Sequence, residues 1–275
     1  MAAVLTPEAR VFFEEQGYMV VPDVVPPALC EAVVAAVFAF LGQDPDDPAT
    51  WYPDPPRPRG MANLFHHQAL WDVRQHPRVH QVFSEILGTE RLWVSFDRAS
   101  MKPPEHPAHP GYAGRSFLHW DADLEAPSEQ LEVQGVVALR DTAANQGGFQ
   151  CAPGSHKFFL REAARMTPAE RRRRCPDLPG LAPHPVAAAA GSLIIWNERL
   201  LHGNGVNRSQ QPRLAQYVTM SRATAAGEGA GQRGRAYHSS AGDPERRREL
   251  EAVNIHLTPL GRRLAGFDPW PASTE

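Results

Sequence analysis

From residue 6 onward the apolar positions first recur at helical spacing and then at strand spacing. Thr6-Pro7-Glu8 supplies an N-cap, a first-turn proline and a first-turn acid, predicting a helix to about Gln16 that Gly17 stops. YMVVP, 18–22, predicts a strand. Residues 27–41 put Leu29, Val33, Val37, Phe40 and Leu41 on one helical face, closed by Gly42. The segment 43–60 is crowded with proline and aspartate and predicts a loop centred on Trp51 and Tyr52. Helical spacing returns at 66–75 and 78–87, ending at Gly88.

Beyond residue 90 the pattern shortens. RLWVSFDRASMK, RSFLHWD, LEVQGVVALRD, PHPVAAAAGSLIIWN and RLAQYVTMSRA alternate or run β-branched and aromatic, with turn signals between them. Thr167-Pro168-Ala169-Glu170 predicts a capping box opening a short helix, on which Arg171 to Arg174 read as a solvated face. Residues 224–243 are rich in Gly, Ala and Ser and read as a loop. Helices followed by many short strands predict helical cover on an antiparallel β core, either sandwich or jelly roll.

A chain of 275 residues with 42% hydrophobic and 21% charged residues can bury a useful core. The net charge of −3 disfavours a general phosphate-backbone binder, so no nucleic-acid partner is expected. Cys30, Cys151 and Cys175 are odd in number and lack metal-ligand spacing, so they are read as free thiols in a reducing cytoplasm. The N-terminus has no basic start followed by an apolar run, and the longest apolar segment, ALCEAVVAAVFAFL, is too short to span a bilayer. The expectation is a cytoplasmic protein without a membrane partner, as a monomer or homodimer.

Three motifs carry candidate chemistry. In FLHWDAD, His119 and Asp121 stand two apart, which on a strand puts both on one face. They make two of the three ligands of a facial iron site, whose third would be a histidine from elsewhere. With 12 histidines in the chain, such a pair also arises by chance, and buried hydrogen-bonded polar groups remain the alternative. In GSLIIWNERLLHGNGVNRSQQPRLAQYV, His202 follows a buried strand and a short turn, and Arg213 opens the next strand. An arginine directed inward is costly unless it meets an anion, and its planar fork suits a carboxylate. His202 is thus a candidate ligand, and Arg213 a candidate grip on the far end of a dicarboxylate. In NQGGFQCAPGSHK, Gly147-Gly148 and Pro153-Gly154 bracket a short strand, and His156 reads as a turn or helix-start residue. The remaining histidines lie in helices or proline-rich loops and are expected at the surface.

Together, FFEEQGYMVVPDVV, HWD, GGFQCAPGSHK and GSLIIWNERLLHGNGVNRSQQPR resemble the phytanoyl-CoA dioxygenase family of Fe(II)/2-oxoglutarate oxygenases. The resemblance runs in order to about Arg222. It implies a double-stranded β-helix, a jelly roll, flanked by helices: a helical part over 1–90, a β core over 91–222 and a C-terminal part over 223–275, in one domain. It implies Fe(2+) held by His119, Asp121 and His202, 2-oxoglutarate held by Arg213, and O2 as oxidant. Lys102 resembles a position lining the cosubstrate or substrate pocket, and Gln134 is read as an inward-facing pocket residue on the following strand. Related halogenases carry a small residue where Asp121 stands, so the resemblance implies hydroxylation of a C–H bond. Desaturation, epoxidation and ring formation use the same oxidant and stay open. Glu198 stands where relatives often carry Asp, a departure expected to touch local hydrogen bonding.

The substrate implied is a small molecule of secondary metabolism, met by loops 43–63, 103–116 and 222–243. Two other readings compete. A zinc-dependent cupin-type hydrolase or isomerase uses similar ligands, but Arg213 counts against it. A non-catalytic sensor on the same fold is disfavoured by the intact ligand set.

Overall fold

The computed structural model describes residues 3–57, 60–112, 116–174, 180–223, 250–251 and 253–271. The expected loop 224–243, Cys175 and most of the C-terminal part lie outside the described residues. The first helix, α1 (Pro7–Gln16), begins where Thr6 accepts a hydrogen bond from Ala9 N at 3.2 Å. It ends at Gly17, whose φ of 78° only glycine adopts without strain. Next come β1 (Tyr18–Val21) and α2 (Pro27–Leu41).

Helix α2 buries Cys30, Val33, Val34, Val37 and Phe38, while Phe40 is 51% exposed. The expected face is therefore corrected at Phe40, which points outward, while Val33 and Val37 of that face are buried. The helix is apolar nearly all round, so periodicity cannot choose its buried stripe, and packing chooses it instead. Helices α3 (Gln68–Arg74) and α4 (Pro77–Leu87) follow. His67 and His76, expected as surface residues, accept backbone N–H bonds at the N-termini of these two helices. Strand β2 (Met61–Ala62) precedes them.

The strands then run β3 (Leu92–Val94), β4 (Ala99–Lys102), β5 (Val133–Ala138), β6 (Phe149–Cys151), β7 (His184–Pro185), β8 (Leu193–Asn197), β9 (His202–Asn204), β10 (Arg213–Tyr217) and β11 (Met220–Arg222). Helices α5 (Phe159–Arg165) and α6 (Pro168–Arg173) lie between β6 and β7, and α7 (Pro259–Leu264) follows β11. The capping box at Thr167 and Glu170 forms as expected. Six strands pair antiparallel in the order β1-β8-β5-β10-β4-β2, and a smaller sheet has the order β7-β6-β9. The N-terminal part is thus more than helical cover, because β1 and β2 form the two edges of the large sheet.

The two faces of the large sheet explain the continuous apolar run in β8. Leu193 and Ile195 pack with Val137, Leu214 and the helices, whereas Ile194 and Trp196 pack with Val136, Ala138 and Ala215 against Phe149 and Cys151 of the small sheet. A strand buried on both faces loses the apolar/polar alternation. Each such fully buried side chain contributes about 1.5–3 kcal/mol. The space between the sheets is where the candidate residues gather. Cys30 and Cys151 are buried free thiols. Among the described residues no helix is long and apolar enough to cross a membrane.

Candidate metal centre and buried arginine

The expected strand through RSFLHWD is absent. His119 makes only a single antiparallel bridge, to His202, and Asp121 lies beyond it in irregular backbone. The bridge has both bonds, His119 N to His202 O at 2.9 Å and His202 N to His119 O at 3.0 Å. The strand stops there because the chain turns at once, with the Asp123 carboxylate accepting from Glu125 N and Ala126 N. Close approach needs Gly203, where a Cβ would collide with the Phe117 carbonyl oxygen. Gly203→Ala is expected to force these backbones apart, cost about 1–3 kcal/mol and weaken metal binding. Thermal melting and a metal titration read the two effects, and a variant that melts and titrates like the parent would refute the tight contact.

The bridge sets the two imidazoles side by side, ring centroids 4.7 Å apart. Asp121 closes the triangle: its Oδ1 lies 3.4 Å from His119 Nε2 and its Oδ2 3.5 Å from His202 Nε2. The candidate ligand atoms all fall within 4.8 Å of one another. Ligands about 2.1 Å from a shared ion and at right angles stand roughly 3 Å apart, so small movements fit this triangle to a metal. His202 Nδ1 lies 2.9 Å from the Leu200 carbonyl. The carbonyl accepts, so Nδ1 carries the proton and Nε2 turns its lone pair to the centre. Burial raises the Asp121 pKa, but hydrogen bonds and charge from His202 and His119 hold it well below the usual carboxylate range. Where the imidazoles give up the protons they turn to Asp121, two ring nitrogens and an ionised carboxylate suit a divalent ion of the iron type.

The surroundings of Asp121 hold residues that sequence reasoning missed or placed differently. Gln134, on β5, donates to Asp121 Oδ2 at 3.0 Å, so it lies against the triad itself. The sequence places Arg174 on a solvated face. It instead leaves α6 in a left-handed conformation and reaches 4.0 Å from Asp121 Oδ1. Glu198 sits in the turn between β8 and β9. Burial and the neighbouring Glu132 and Asp121 carboxylates push its pKa up against the pull of Arg174. Glu132 lies two residues before Gln134, a same-face spacing that was its one signal in the sequence. His156 lies apart, in a 3-10 turn, with Nε2 3.0 Å from the Glu14 carbonyl.

Arg213 opens β10, is 3% exposed, and stands directly across from Lys102 on β4. Its guanidinium donates to the Tyr217 hydroxyl at 3.4 Å, and Asn204 also donates to that hydroxyl at 3.0 Å. Among the described residues no carboxylate pairs with Arg213. Lys102 Nζ donates to the Gly205 carbonyl. Burial and the charge of Arg213 pull its pKa down to about 8, opposed by Glu105. Like charges directly opposite on paired strands are destabilising, and a buried cation calls for an anion. Beside Arg213 runs a narrow cleft lined by Val136, Ala138, Phe149, Ile194 and Ala215. The Phe149 ring also stacks 6.1 Å from that of His202. The cleft at Arg213 and the triad thus share one neighbour, Phe149, which lines the first and stacks on His202 of the second.

Comparisons with known proteins show the family and the fold. The Phytanoyl-CoA dioxygenase (PhyH) family matches residues 13–215. A Dictyostelium discoideum protein named for the same family is 24% identical, over 75% of this chain and 73% of its own. The ectoine dioxygenase of Halomonas elongata is 25% identical, over 76% of this chain and 68% of its own. Among solved structures, the nogalamycin epimerase SnoN, in complex with Fe3+, alpha-ketoglutarate and nogalamycin RO, shares the fold with a TM-score of 0.56. It is 18% identical, over 78% of this chain and 82% of its own.

Proposed function

Because the chain belongs to the phytanoyl-CoA dioxygenase family, we propose that it is an Fe(II)/2-oxoglutarate-dependent dioxygenase that oxidises, by hydroxylation, an unactivated C–H bond of a small molecule. The observation that carries this reading is a two-histidine, one-carboxylate triad beside a buried arginine that lacks a described carboxylate partner, Phe149 touching His202 and lining the cleft at Arg213. Iron and 2-oxoglutarate, when bound, would supply with O2 an oxidative decarboxylation to succinate and CO2 in which one oxygen atom of O2 enters succinate and the other the C–H bond of the substrate. His119, Asp121 and His202 would hold the metal on one side and leave the other open.

Arg213 holds the distal carboxylate in its planar fork, and Lys102 adds a second positive charge beside it. Val136, Ala138 and Ile194 keep water from the methylene portion of the cosubstrate. Asp121 fills the third protein position, which favours hydroxylation over halogenation. The small-molecule substrate is supported by the ectoine dioxygenase and the nogalamycin epimerase among similar proteins, and we place the chemistry in small-molecule biosynthesis. The zinc hydrolase reading explains neither Arg213 nor Lys102.

Anaerobic loading with Fe(II), followed by O2, tests this function. O2 uptake matched by succinate release from 2-oxoglutarate is expected. Metal analysis that finds tight zinc, with no succinate formed under any loading, would overturn it.

The charge on Lys102 gives the cosubstrate a pH dependence. The protonated ammonium attracts the carboxylate and the neutral amine does not. With a pKa near 8 in the free protein, the cation is present below that pH and lost above it. The KM for 2-oxoglutarate is therefore expected to be flat at neutral pH and to rise through the alkaline range. Lys102→Met should abolish that rise. A pH profile of KM identical in parent and variant would exclude the role.

A further inference from the structure

The Gln134 carboxamide joins Trp196 to Asp121. Gln134 and Trp196 are direct partners in the register of β5 and β8, so both side chains rise from the same face of the large sheet. The Trp196 indole N–H donates to Gln134 Oε1 at 2.8 Å, and Gln134 Nε2 donates to Asp121 Oδ2 at 3.0 Å. Trp196 and Gln134 are both buried. An indole N–H is a donor only, so it accepts one orientation of the carboxamide, with oxygen toward Trp196 and nitrogen toward Asp121. The flipped amide would set donor against donor and oxygen against carboxylate, leaving buried polar groups unmatched.

Both Asp121 oxygens stand beside the centre, Oδ1 3.4 Å from His119 Nε2 and Oδ2 3.5 Å from His202 Nε2, but only Oδ2 also accepts from Gln134. We propose that Trp196 and Gln134 are positioning residues that engage Oδ2 of Asp121 and leave Oδ1 as the single oxygen offered to the metal. The proposal rests on the iron reading above and adds what decides the number of open positions. A carboxylate binds a metal through one oxygen or two. Through both, Asp121 would bring the protein donors to four and leave a six-coordinate ion two positions, too few for a chelating keto acid and O2 together. Through Oδ1 alone, three remain. Partners one step out from a metal commonly orient its ligands, and here the β5–β8 register sets that orientation.

The test uses the full chain loaded with Mn(II) and without cosubstrate, counting exchangeable metal-bound waters by water-proton relaxation. The parent protein is expected to show three. Trp196→Phe removes only the donor and keeps a ring where Trp196 packs 4.6 Å from Phe149 and 5.1 Å from His202. Gln134→Met keeps the length of the side chain and removes both hydrogen bonds. Each is expected to show two waters, because the released Oδ2 closes on the ion. The affinity of the Mn(II) protein for 2-oxoglutarate should fall about 10–100-fold, more in Gln134→Met than in Trp196→Phe. A merely structural role would lower the melting temperature and leave the water count at three. Three waters in a folded Trp196→Phe or Gln134→Met protein would overturn the proposal. A parent protein that binds no Mn(II) would instead refute the metal reading itself, a separate outcome.

Discussion

Asp121→Ala is expected to abolish metal binding and turnover together. The substitution leaves two neutral imidazoles, His119 and His202, and removes the negative charge that offsets a divalent ion. It also leaves the Arg174 guanidinium, now 4.0 Å from Asp121 Oδ1, facing the centre with its nearest carboxylate gone. A cation beside an empty ligand position repels the incoming ion, so the loss exceeds that of a missing ligand alone. Changing an outer partner of a metal ligand costs about 10–100-fold in affinity. Loss of the carboxylate should exceed about a hundredfold, and His119→Ala should approach it. Fe(II) titration and succinate release measure the two quantities. An Asp121→Ala protein that keeps full hydroxylation would contradict the assignment.

Arg213→Ala is expected to leave the metal in place and to raise the KM for 2-oxoglutarate. Truncating one partner of a buried charged hydrogen-bonded pair costs about 2–5 kcal/mol, and each 1.4 kcal/mol is about tenfold. The rise should therefore be on the order of a hundredfold, with a smaller change in kcat at saturation. Arg213→Lys should not restore affinity, because an ammonium lacks the fork and would face Lys102 directly across the strands. Stability of the cosubstrate-free protein should move the other way. Arg213 is 3% exposed and meets no described carboxylate, so Arg213→Met removes a buried charge and should raise the melting temperature. Unchanged cosubstrate affinity in Arg213→Ala would remove the dicarboxylate assignment.

Local chemistry made much of the fold legible. Thr6, Gly17, Gly42 and Gly88 bound the helices where side-chain and left-handed caps predict them. The shift from helical to strand spacing near residue 90 marks where the β core begins to dominate. The site was legible in part, because His119, Asp121, His202 and Arg213 are residue types with few other reasons to sit beside buried strands. Gln134 was visible as an inward residue, but its partner was not. Nothing local ties position 134 to 121 or to 196 until β5 and β8 are in register. Arg174 was misread because a run of four arginines on a short helix looks solvated, and only the left-handed turn at its end sends the last one inward.

By itself the sequence determined what neighbours along the chain decide: where helices start and stop, where strand spacing replaces helical spacing, and which side chains can bind a metal or an anion. The tertiary structure alone decided which stripe of α2 is buried, that a single bridge brings His119 to His202, and that an amide stands between Trp196 and Asp121. Caps and periodicity act over a few residues, and their energies are present before the chain folds. Register and convergence depend on contacts tens of residues apart, which exist only once both sheets are packed.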